Sequence, residues 1–152
     1  MRFGFSLETR ATPDQVFRAF TDFTDRRPEI WRESLDPAKY EVREVEDTWA
    51  VVKEGTARPA LWAVERYEWS RPTAVRWKAL ESNFCRPGSG VELTIAPNGD
   101  GGSRVDATWH RSPRGVTGLV IVPLIRLIGP RTFPRDWAKV LDRFADTEST
   151  SG

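Results

Sequence analysis

Two glutamates and an arginine mark where this chain could do chemistry. Leu61, Ala63, Tyr67 and Trp69 share one face of a segment that alternates apolar and polar residues, and Glu65 falls among them. In the next segment Val75, Trp77 and Ala79 share a face that ends in Glu81. A carboxylate on an apolar face needs a partner or takes a raised pKa, and such groups move protons or anchor ligands. Glu65 and Glu81 are therefore the candidate acid/base residues. A hairpin turn near Arg71-Pro72 brings them to neighbouring strands, opposite or one diagonal step apart, about 5–8 Å between side-chain origins. A second arrangement leaves Glu81 in water at the rim and pairs Glu65 with an arginine such as Arg111, which ends the apolar face of Val105, Ala107 and Trp109. The two differ in sign: a dry, unpaired Glu65 has a raised pKa, and one paired with Arg111 a lowered one.

The remaining reactive types point elsewhere. His110 falls on the outer side of its strand with Arg104, Asp106 and Thr108, and no second ligand stands at metal spacing from it, so no metal is expected. Cys85 precedes Arg86, which favours a thiolate, but without a histidine partner it reads as a structural thiol. A lone cysteine excludes an internal disulfide and fits a reducing compartment. Gly99, Gly101 and Gly102 join two strands with no helix N-terminus behind them, so they form no phosphate loop and no cofactor is expected.

The elements that must position these residues follow from periodicity. Phe3, Phe5 and Leu7 alternate with polar residues as a first strand. Thr12-Pro13-Asp14-Gln15 is a helix start with a capping box, followed by Val16, Phe17, Phe20 and Phe23 at helical spacing. A second short helix fits Asp25 to Arg32. Six strands then run over 40–45, 49–53, 61–70, 73–81, 90–96 and 103–111, each joined to the next by a hairpin-length link. From about Gly115 to Asp146 the chain reads as helix, with Phe133, Trp137, Val140, Leu141 and Phe144 on one face. Pro123 and Gly129-Pro130 should kink or interrupt it. The fold class is thus α+β: a seven-stranded antiparallel sheet wrapped around a long C-terminal helix, with two short helices after the first strand. One domain spans 1–146, and the small, polar segment 147–152 reads as a flexible tail.

The 152 residues carry 23 basic and 22 acidic side chains, a net charge of +1, which gives no whole-chain field to recruit nucleic acid or an anionic membrane. The chain opens directly into strand pattern with no leader, so cytoplasm is the expected location. The run Leu119 to Ile128 is shorter than the about 20 apolar residues of a transmembrane helix and holds Pro123 and Arg126; it is expected to be a buried helix segment, not a membrane-surface element.

The order of elements resembles the START-like or helix-grip superfamily (SRPBCC), which includes polyketide cyclase/dehydratase-type proteins, lipid-transfer domains and plant pathogenesis-related allergens. The stretches that carry the resemblance are Ala11 to Phe17, Asp22 to Trp31, and Val105 to Arg111 with the glycine-bearing entry to the last helix. It covers nearly the whole chain and implies an internal apolar cavity between sheet and helix. It implies neither a particular ligand nor catalysis, because the superfamily shares no catalytic motif.

One long and two short helices offer too little to fill the concavity of seven strands, so the inward rings should line a space. The expected function is binding of a small-to-medium hydrophobic or aromatic ligand, lipid- or polyketide-like, with Phe5, Trp31, Glu65, Tyr67, Trp77, Glu81 and Trp109 as its contacts. Trp49 and Trp62 fall outside that set. The alternatives are a cyclase/dehydratase-type enzyme using Glu65 or Glu81 as acid/base, and a protein- or membrane-interaction module without ligand. Oligomeric state is left open.

Overall fold

Strand β1 (Arg2–Thr9) buries Phe3, Phe5, Leu7 and Thr9 and exposes the residues between them, as alternation on a one-sided sheet requires. The structure, a computed structural model, describes residues 1–151. Helix α1 (Pro13–Thr21) begins with a reciprocal cap: Thr12 Oγ1 accepts from the Gln15 N–H at 3.2 Å, and Gln15 Oε1 accepts from the Thr12 N–H at 2.9 Å. A one-turn helix, α2 (Arg27–Ile30), and a 3-10 turn at Pro37–Lys39 lead into the meander. Its strands are β2 (Glu41–Val45), β3 (Trp49–Thr56), β4 (Leu61–Arg71), β5 (Ala74–Ser82), β6 (Gly90–Pro97) and β7 (Ser103–His110). The sheet is antiparallel throughout in the order β1-β7-β6-β5-β4-β3-β2, so β1 closes onto the last strand. Its concave face, together with α1, α2 and the final helix, encloses one continuous core.

Helix α3 (Gly115–Ser151) is 37 residues long and continues through Pro123, Pro130 and Pro134, so the prolines do not interrupt it. It does not end near 146 either. Segment 147–151 prolongs the helix, and Glu148 pairs with Arg18 of α1; Gly152 lies outside the described residues. Two glycines set how close the first half of α3 sits to the rest. A Cβ on Gly118 would come within 2.2 Å of the Phe84 carbonyl oxygen, and one on Gly129 within 2.5 Å of the Phe3 ring.

The run Leu119 to Ile128 departs from the expected burial. Val122 is fully buried, but Leu119, Val120, Leu124, Leu127 and Ile128 are exposed. A helix presents only one stripe to its support, here Gly118, Val122 and Gly129, and a segment apolar on all sides conceals which stripe that is.

Candidate ligand-binding site

Between the concave sheet face and α3 lies a cavity of about 400 Å³. Its walls come from Phe20 of α1, Trp31 and Leu35 beyond α2, Tyr67, Trp77 and Trp109 of the sheet, and Ile121, Ile125, Phe133 and Trp137 of α3. The cavity is internal, as expected, but opens to the surface. Leu124 and Ile128 of α3 and Arg58 and Pro59 of the β3–β4 loop line it while remaining exposed, which places the mouth between helix and loop.

Each ring is held by a neighbour. Trp77 stacks on Tyr67 with centroids 5.0 Å apart, Trp109 stacks on Phe3 at 4.9 Å, and Trp31 lies against Phe20 at 4.8 Å while its indole N–H donates to the Ala19 carbonyl. Such fixed rings present rigid apolar walls.

Two polar clusters interrupt them. In the first, Arg111 Nη2 donates to Glu65 Oε1 at 2.8 Å, with both side chains buried. Arg111 Nη1 lies 3.5 Å from the Cys85 sulfur. The other carboxyl oxygen, Glu65 Oε2, is buried and has no hydrogen-bond partner among the described residues. Burial raises the Glu65 pKa above its ordinary value, and the nearby Arg111 opposes this without reversing it. Pairing therefore does not carry the lowered pKa that the sequence argument attached to it, because the cost of desolvating the carboxylate exceeds the gain from the guanidinium.

In the second cluster, Arg27 donates to Glu54 at 2.8 Å, to the Phe20 and Asp22 carbonyls, and to the Tyr67 hydroxyl at 3.1 Å. Tyr67 in turn donates to Glu54. Burial raises the Tyr67 pKa well above its usual value, with the Glu54 charge adding to the effect, so this hydroxyl stays protonated. Arg27, Glu54, Glu65, Tyr67 and Arg111 all line the same cavity.

Of the residues singled out from sequence, Trp31, Glu65, Tyr67, Trp77 and Trp109 come together on the cavity wall. Phe5 and Glu81 do not line it. Phe5 sits behind the wall, edge-on to Trp137 with centroids 5.0 Å apart. Glu81 is exposed. Glu65 stands opposite Ala79 and Val64 opposite Glu81, so Leu80 is an extra residue in β5, and the bulge reverses the parity that had put Glu81 inside. Trp62, excluded by the same parity argument, contributes to the lining. Arg27 and Glu54 were missed. Glu54 continues the inward alternation of Ala50 and Val52 one step past the strand end assigned from sequence, a signal that was available; nothing local marks Arg27. His110 is half-buried on the outer side, where burial, followed by the Arg2 charge, lowers its pKa. Among the described residues no group of three or more His, Cys, Asp and Glu is placed to hold a metal ion.

The sequence profile of the family described as polyketide cyclase / dehydrase and lipid transport matches residues 4–147. The chain belongs to this family. Solved structures repeat its architecture at low identity. The Zhui aromatase/cyclase from Streptomyces sp. R1128 superimposes with a TM-score of 0.79 at 14% identity, covering 100% of this chain and 98% of that one. A START superfamily protein from Mycobacterium smegmatis gives 0.76 at 10% identity, covering 97% and 98%. Norcoclaurine synthase from Thalictrum flavum, in complex with dopamine and hydroxybenzaldehyde, gives 0.68 at 11% identity, covering 94% and 84%. No curated protein sequence shows significant similarity. At these identities the structural likeness defines the helix-grip fold shared by the family.

Proposed function

We propose that this polyketide cyclase / dehydrase and lipid transport family member binds a small-to-medium apolar or aromatic molecule carrying a hydrogen-bond donor. The observation that carries this reading is Glu65, a lining residue of an open, ring-walled cavity, whose Oε2 is a buried acceptor with no partner among the described residues. A buried polar atom left unpaired costs about 1–3 kcal/mol, and a ligand hydroxyl or amine at that point removes the penalty. The cavity volume falls within the range of small-molecule sites, and its rings supply the apolar contact. The norcoclaurine synthase complex, holding two small aromatic molecules, is consistent with this choice of ligand class for the fold.

The test combines native mass spectrometry of freshly purified protein with titration of an environment-sensitive apolar dye. Saturable dye binding, weakened about tenfold or more by Trp109→Ala, is the expected result. Failure of every apolar probe to bind would leave the rings a packing role only. Glu65→Gln keeps the shape and changes an acceptor into a group that also donates, so it should weaken donor-bearing ligands more than plain hydrocarbons.

A second reading, an acid/base enzyme of the cyclase/dehydratase type, is favoured by the raised pKa of Glu65, which keeps a transferable proton on the carboxyl closer to neutrality. Turnover of a cyclisable substrate that Glu65→Gln abolishes, with stability retained, would put this reading first.

A further inference from the structure

We propose that the exposed apolar ridge on the first half of α3 docks onto an anionic lipid bilayer. Val116, Leu119, Val120, Leu124, Leu127 and Ile128 are all exposed, Leu119 at 65% and Leu127 at 76%. Their spacing of three and four residues sets them along one side of the helix, away from the stripe of Gly118, Val122 and Gly129 that lies against the protein body. A contiguous apolar ridge of this kind marks an interaction surface.

Charge selects the partner. From Ala107 to Arg135 the chain contains no aspartate or glutamate, while Arg114, Arg126 and Arg131 are exposed within that stretch. Apolar side chains flanked by one sign of charge fit a surface that is apolar beneath a negative face. A second copy of this chain fits less well. A two-fold contact through the ridge would bring Arg126 and Arg131 towards their own equivalents, with no acid in the stretch to offset them.

Position supports the same partner. Leu124 and Ile128 belong to the ridge and also line the cavity, so a docked ridge brings the cavity mouth to the bilayer. By length and composition alone α3 could cross a membrane. Fully buried Val122 and the Gly129 approach to Phe3 instead keep one stripe of it on the protein, so the helix lies in the plane of the interface. Docking needs the ridge and not an occupied cavity, so it stands independently of the ligand reading.

The test is flotation of the full chain with vesicles of phosphatidylcholine mixed with phosphatidylglycerol, at low salt. The protein should rise with these vesicles, about tenfold or more less with phosphatidylcholine alone, and less as salt is added. The double variant Leu119→Asp/Leu127→Asp should lose about tenfold or more of the recovery. Neither residue lines the cavity, so its dye binding and melting temperature should match the wild type. Arg126→Glu/Arg131→Glu should lose selectivity for the anionic vesicles. Equal recovery on neutral vesicles, no recovery of the wild type, or undiminished recovery of the aspartate variant would overturn the proposal. A concentration-dependent dimer that the aspartate substitutions dissociate would also overturn it, in favour of a second copy as the occupant.

Discussion

From Arg131 onward, α3 buries Val140, Leu141 and Ala145 and is tied down by polar contacts on both sides. Thr9 and the Arg10 N–H donate to Asp142, Arg143 reaches Glu33 and the Ile30 carbonyl, and Arg18 reaches Glu148. From Gly115 to Pro130 the same helix is more apolar, yet most of its large side chains face outward and its closest approaches run through two glycines. The more hydrophobic half is the less buried one. Amphipathicity, not total apolarity, fixes a helix onto a sheet, because polar residues on the far face tell the chain which side to bury.

The largest effect that can test this contrast comes from truncating one leucine in each half. Leu141→Ala should cost about 2–5 kcal/mol by denaturant unfolding, while Leu127→Ala should change stability by less than about 0.5 kcal/mol. Similar losses from both would erase the distinction. Next in size is Gly118→Ala, which pushes a methyl against the Phe84 backbone carbonyl and should cost about 1–3 kcal/mol. A neutral result would mean the first half is not held by that close approach.

A pH series separates the polar contacts of the two halves. Glu33 and Glu148, partners of the second half through Arg143 and Arg18, have lowered pKa values caused first by those arginine hydrogen bonds. Their stabilisation is present above the ordinary value of 4.5 and is lost as pH falls through the lowered values. Glu65, on the cavity wall beside the first half, has a raised pKa. Its contribution is full below 4.5 and lost as pH rises through the raised value. The stability of the wild type relative to Glu65→Gln should therefore decline above pH 4.5, by at most about 1.4 kcal/mol per pH unit. A flat difference would show that Glu65 titrates alike in the folded and unfolded chain. The smallest effect should be Arg18→Ala. It removes partly exposed ion pairs to Asp14 and Glu148, costing about 0.2–1 kcal/mol and less at high salt.

Much of the fold could be read from the sequence because its determinants are local. Alternation in β1 and β7, the Thr12–Gln15 cap and the Phe133 to Phe144 spacing each need only neighbouring residues to be recognised. The site was less legible for the same reason. Trp77 and Trp109 follow from parity, whereas Glu81 lies beyond a bulge that no local signal announces. The Arg27–Glu54–Tyr67 cluster joins a short helix to two strands, and only the folded chain brings these residues together. The exposure of Leu119, Val120, Leu124, Leu127 and Ile128 was hidden because that run, Arg126 apart, is apolar on nearly every face.

Trp137 contacts Phe5, Phe20, Trp31, Trp77 and Phe133, so most of the rings around the cavity form one connected array. Its indole centroid is 6.3 Å from that of Trp31 and 6.2 Å from that of Trp77, close enough for their electronic transitions to couple. The near-ultraviolet circular dichroism of this protein is then a property of the array and not a sum over separate chromophores. Anything that enters the cavity and tilts one ring should alter the whole band, so occupancy can be followed without attaching a label.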